Sequence, residues 1–284
     1  MHGAAGIAIV VAVLATVLLA SIGTARWERR TRRLLARLQR LHPPAAAARV
    51  DLRELEGLPL PVQRYFRTAL TPGQPTIVAA SVAHEGTFNL SPTGEKWVPF
   101  TSRQRVSTGR PGFVWDARIR AAPGLAVRVH DAYVGGEGIL CAALLGLLRV
   151  ADQRGTPALA RGELMRYLAE AAWYPTALLP SQGVRWSGID ARSALATIRD
   201  GGESVSLAFT FGDDGLVQSV RAEARERLLG ATAVPTPWEG RWTDYRQHDG
   251  MRIPYTGEVA WLLPQGRQPY WRGTITALAL ETAN

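Results

Sequence analysis

From Thr76 to the C-terminus the chain keeps returning to one pattern, an alternation of apolar and polar residues. In "FVWDARIR", Phe113, Trp115, Ala117 and Ile119 alternate with Val114, Asp116, Arg118 and Arg120. Because successive side chains on an extended strand point to opposite faces, this spacing predicts a strand with one buried face. The same reading applies to "TIVAASVAHEGTFNL", "KWVPFTSRQRV", "LAVRVHDAYV", "VSLAFTF", "LVQSVRAEAR", "EVAWLL" and "YWRGTITALAL". Between them lie "RPG", "DGGE", "GDDG", "QHDG" and "PQGR", clusters that supply turn conformations. Tight turns join antiparallel neighbours, whereas parallel ones need long crossovers. The expectation is therefore an α+β fold built on a curved antiparallel meander.

Helical segments interrupt or precede the strands. "LARGELMRYLAEAAW" carries an apolar stripe of Leu164, Leu168 and Ala171 or Ala172, and "LPLPVQRYFRTAL" reads as a short helix behind Pro61. "GILCAALLGLLRVA" is apolar nearly all round, and it reads as a buried helix too short to cross a bilayer. At the other end of the chain, residues 3–23 hold no charged side chain, which predicts a single transmembrane helix. Only "MH" precedes it, so it lacks the basic flank of a cleaved signal peptide.

The net charge of +9 and pI near 10.5 suggest nucleic acid at first sight, but residues 26–49 hold eight Arg and one Glu, a local charge of +7 that leaves +2 for the rest. The basicity belongs to one short segment, and no nucleic-acid partner is predicted. Its arginines, Arg26 to Arg40, place the C-terminal domain on the cytoplasmic face of a bacterial inner membrane by the positive-inside rule. The expected organisation is a membrane helix at 3–23, a basic juxtamembrane helix and Pro/Ala linker at 24–49, and a globular domain at 50–284. The sole cysteine, Cys141, forms no intrachain disulfide. Five histidines without metal spacing, and the absence of Walker A and GxSxG motifs, predict no metal and no cofactor.

The motifs "GELMRYLAEAAWYPTALL", "PVQRYFR", "PGFVWDA", "DAYVGGEG", "PWEGRWTDY" and "IPYTGEVAW" resemble those of a bacterial family of membrane-anchored proteins that share a domain of unknown function. The resemblance covers roughly residues 58–276. More distantly, the meander with an embedded helix is similar to the open half-barrels of lipoprotein carriers, which implies an apolar ligand. Those carriers act outside the cytoplasm, so the resemblance points to an extracytoplasmic alternative against the arginine cluster.

Two constellations stand out as candidate sites. Glu163, Tyr167 and Glu170 share a helix face, with Arg166 able to pair with either glutamate. That face is either solvated or the lid of a cavity, with Trp173 and Tyr174 as its rim where Pro175 turns the chain. Asp131 has the strand parity of Val129 and Tyr133, so it faces the apolar side and needs a partner or a proton. The leading reading is a lipid or other apolar ligand bound by Arg166, Tyr167, Glu170, Trp173, Tyr174, Trp115, Asp131 and Tyr133, with Arg166 on an anionic head group. The alternatives are an enzyme using Asp131 and Glu170 as paired carboxylates, and an interaction module without a ligand. No oligomeric state is predicted.

Overall fold

The computed structural model describes residues 2–41, 49–91, 94–229 and 232–283, with side chains for all of them except 2–6, 8–10, 12, 13, 15, 16, 228 and 229. The Pro/Ala linker expected at 42–48 lies outside the described residues.

Among the described residues thirteen strands form one antiparallel sheet. In chain order they are β1 (Ile77–Asn89), β2 (Trp97–Ser107), β3 (Gly112–Ala122), β4 (Leu125–Val134), β5 (Glu137–Leu144), β6 (Leu148–Arg154), β7 (Arg185–Gly188), β8 (Ser193–Asp200), β9 (Glu203–Phe211), β10 (Val217–Leu229), β11 (Thr232–His248), β12 (Met251–Leu263) and β13 (Gly266–Thr282). Two meanders, β1 to β6 and β7 to β13, are joined where β1 pairs with β13, so the spatial order runs β6 to β1 and then β13 to β7. The sheet curves but does not close by strand pairing. Its flanks meet through Asp200, which accepts from Arg110 Nε at 2.8 Å and from the Tyr133 hydroxyl at 3.0 Å.

Among the described residues three α-helices accompany the sheet. α1 (His2–Arg40) lies on its outer face, whereas α2 (Leu60–Ala69) and α3 (Pro157–Glu170) fill the concave side with the 3₁₀ turns that follow α3. One device in that core is a row of glycines across three strands, Gly86, Gly273 and Gly257, paired in register. A Cβ at Gly257 would sit 2.5 Å from the Trp242 ring, and one at Gly273 2.4 Å from the Trp271 ring. The bare backbone is what lets the indoles lie flat on the sheet.

Three expectations change. "GILCAALLGLLRVA" is the β5–β6 hairpin and not a helix, because its ladder with β4 continues the sheet and Gly146, at φ 73°, makes the turn. The basic half of α1, expected as a juxtamembrane segment separate from the globular domain, packs on that domain. Trp27, Leu34 and Leu38 are buried against the outer face of the sheet, and Trp27 Nε1 donates to Asp116 at 2.8 Å. Finally, among the described residues no helix is long and apolar enough to cross a membrane. The crossing expected of residues 3–23 is therefore not supported, and many side chains of that segment lie outside the description.

Candidate functional site

α3 begins where the Thr156 hydroxyl accepts from Leu159 N and Pro157 occupies the first turn. Helical spacing then carries Glu163, Arg166 and Glu170 onto the face toward the sheet. On β4, Asp131 is the register partner of Trp115 and Leu140. Arg166 joins the two elements: its Nη1 lies 2.5 Å from Asp131 Oδ2 and its Nε 2.7 Å from Glu170 Oε1. Nη2 donates to Gln104 Oε1 at 3.2 Å, and Gln104 Nε2 donates to Glu170 Oε2 at 2.6 Å. The guanidinium also lies over the Phe113 and Trp115 rings, at 4.8 and 5.0 Å. Such a buried cation persists only with partners this complete.

A second cation sits beside the first and is held more loosely. Arg225 reaches Glu163 Oε1 at 3.4 Å and the Tyr270 hydroxyl at 3.5 Å, with its guanidinium 5.1 Å from the Trp238 ring. Burial, and then the neighbouring Asp131 carboxylate, raise the Glu163 pKa well above the ordinary 4.5. Asp131 Oδ1 and Glu163 Oε2 meet no conventional donor among the described residues. A proton on Glu163 resolves both facts, since the acid then donates to Asp131. Two guanidiniums then face two carboxylates, and the charges balance. Under the cluster, burial and the Arg166 charge push His84 down to about 3, so its ring is neutral against Trp173.

The cluster forms the floor of a cleft of about 540 Å³ walled by Phe88, Leu140, Leu159, Trp261 and Tyr270, with Asp131, Glu163 and Arg225 exposed to it. Small-molecule sites span roughly 300–1,000 Å³. A larger trough of about 990 Å³ lies on the outer face between α1 and the sheet. It is a seam between α1 and the sheet bordered by the Arg105–Glu281 ion pair; Gln104 lines it, but Asp131, Glu163, Arg166, Glu170 and Arg225 do not. The cleft is therefore the candidate site.

Asp131, Arg166, Tyr167, Glu170, Trp115 and Tyr133 converge around α3, but several have roles other than those expected. Trp173 and Tyr174 are not a rim. Trp173 packs edge-on against Trp242 at 4.9 Å, and the Tyr174 hydroxyl donates to Tyr167 O at 2.7 Å, because the turn at Pro175 leads the chain inward. Tyr167 is buried beside Tyr174, and Tyr133 belongs to the latch on Asp200. Arg166 is already matched by two carboxylates, so the anionic group expected on it would have to displace them. Asp131 and Glu170 do not face each other, since the guanidinium stands between them. Sequence reasoning missed Gln104, Arg225, Tyr270 and the site role of Glu163. Arg225 was hidden by a register shift between Ala222 and Arg225, which breaks the alternation that puts Val220 and Ala222 in the core. Among the described residues no group of three His, Cys, Asp or Glu side chains is arranged to hold a metal ion.

A large open antiparallel sheet with a helix buried in its concave face defines the structural class. The chain belongs to the family of unknown function DUF6920, whose sequence model matches residues 56–279. No curated protein is significantly similar in sequence. Among solved structures, the chain is similar to a LolA superfamily protein from Nitrosomonas europaea, with 9% identity, TM-score 0.36, and coverage of 72% of this chain and 86% of that one. It is also similar to a beta-barrel-like protein of the domain of unknown function DUF1849 from Brucella abortus, with 12% identity, TM-score 0.19, and coverage of 72% and 99%.

Proposed function

We propose that this is a membrane-attached protein that binds an amphipathic molecule with an anionic head, such as a lipid, in the cleft beside α3. The observation that carries the reading is a loosely held buried cation in an aromatic-walled cleft. Arg225 makes only 3.4 and 3.5 Å contacts while Phe88, Trp261 and Tyr270 surround the space above it. A guanidinium with one neutral and one distant partner has capacity for phosphate or carboxylate, and the aromatic wall suits the first part of an acyl chain. Asp131, Glu170 and Arg166 hold the floor in place, with Tyr167, Trp173, Tyr174, Trp115 and Tyr133 packed behind it.

Attachment rests on the first half of α1, where Ile7, Val11, Leu14, Val17, Leu18, Leu19 and Ile22 are exposed and unpartnered. In this reading the exposed apolar half of α1 embeds in the inner membrane from its cytoplasmic side, and the exposed Arg26, Arg29, Arg32 and Arg33 meet its anionic head groups. The test is mass spectrometry of small molecules extracted from the full chain purified in nanodiscs, compared with Arg225→Ala. A bound anionic amphiphile retained by the natural chain and lost from the variant is expected. Equal retention by both, or an empty natural chain, would overturn the cleft assignment.

A further inference from the structure

The turns of the sheet sort its exposed apolar side chains. Register places six turns on one edge of the sheet; the β8–β9 tip, where Asp200 pairs with Glu203, packs back against Gly136, and the other five are the β1–β2, β3–β4, β5–β6, β10–β11 and β12–β13 turns, where Asn89 pairs with Trp97, Ala122 with Leu125, Leu144 with Leu148, Leu229 with Thr232 and Leu263 with Gly266. Two neighbouring tips are tied together where Leu145 N donates to Ala126 O at 2.9 Å. Outside α1, the large apolar residues exposed among the described residues include Leu90 (37%), Leu125 (37%), Leu148 (64%), Val150 (59%) and Val234 (36%), all at these turns or within two residues of them. Among the described residues outside α1, only Leu60 and Ile189 of the large apolar side chains are exposed elsewhere.

α1 leaves the domain at this same edge. A Cβ on Gly23 would lie 2.2 Å from Leu145 O, so the helix backbone touches the β5–β6 tip there. From that point α1 descends the outer face past Asp116, which Trp27 meets, to Glu137 beside the β4–β5 turn, which Arg37 meets at 2.6 Å. The residues before Gly23, with their exposed Ile and Leu side chains, therefore project beyond the edge by roughly 30 Å at 1.5 Å per residue. The cleft also opens here, since Leu90, Ser91 and Ala233 line it.

We propose that this turn edge is a second membrane-contacting surface: the β3–β4 and β5–β6 tips dip into the lipid beside α1, and the cleft faces the bilayer. The inference rests on the membrane attachment read from α1 and adds an orientation to it. The occupant is lipid because the patch is continuous with the apolar half of the helix, and because the exposed Lys96 and Arg120 beside it suit anionic head groups. The edge thereby brings the aromatic wall of the cleft to the level where an amphiphile leaves the membrane.

The experiment uses the full chain, reconstituted in vesicles of phosphatidylethanolamine and phosphatidylglycerol, with a bimane label on one introduced cysteine at a time in a Cys141→Ser background. Labels at Leu148→Cys and Leu125→Cys are expected to shift to the blue and lose intensity with brominated lipid. A label at Gln247→Cys, exposed beside the turn at the opposite edge, is expected to do neither. If the protein floats with vesicles but all three labels report water, the orientation is overturned while attachment stands. Failure to float at all would overturn both.

Discussion

Arg166 carries the most energetic consequence of any single side chain in the site. Its removal leaves Asp131 and Glu170 buried without their cation, a defect that costs about 3–5 kcal/mol. Arg166→Ala is expected to lower the unfolding free energy measured by urea denaturation by that amount, and a free energy within error of the natural chain would show the cluster to be solvated. Glu163 behaves differently, because it is stable as the acid. A raised folded pKa contributes stability that is complete below the ordinary 4.5 and is lost as pH rises through the raised value. Glu163→Gln stays neutral and can donate to Asp131, so its thermal midpoint is expected to gain on the natural chain with rising pH. A difference independent of pH would mean that Glu163 shares no proton. These residues were unevenly legible: the spacing of Glu163, Arg166 and Glu170 on one turn-repeated face is local, and so is the parity of Asp131. Which carboxyl meets which was not, because that depends on where α3 lies over β4.

Two elements show how composition and context compete. "GILCAALLGLLRVA" has the length and apolarity of a short buried helix, but it becomes the β5–β6 hairpin because a strand edge beside β4 supplies its hydrogen bonds. α1 keeps its helical period and takes an unforeseen partner. Trp27 stacks on His130 with centroids 4.0 Å apart, and the Thr31 hydroxyl lies 2.7 Å from His130 Nε2 and 3.0 Å from Asp116. Trp27→Ala removes the largest anchor of that seam, at about 3–5 kcal/mol. Trypsin is then expected to cut between Arg26 and Arg40 well before the domain unfolds. Protection equal to the natural chain would mean that Leu34 and Leu38 suffice to hold the helix.

At the scale of the whole molecule, stability is expected to fall on the acid side. Burial pushes both His84 and His130 down to about 3, in each case with help from nearby arginines. The unfolded chain binds these protons near 6.5, so stability is complete above that value and declines as pH falls toward 3. Each histidine contributes up to about 1.4 kcal/mol per pH unit in that window. A thermal midpoint that holds steady from pH 6.5 down to 4 would contradict the burial of both rings. His130 lies in the α1 seam, so release of α1 is expected to accompany the loss. The sequence by itself determined most strands of the meander, α2, α3 and the inward face of Asp131, because alternation, helical spacing and turn chemistry act over a few residues. Tertiary structure alone decided that β1 pairs with β13, that α3 fills the concave face, that α1 packs outside, and that Arg225 enters the site through a bulge. Those outcomes depend on which apolar faces meet across the fold, and pairings distant in sequence leave no local period to read.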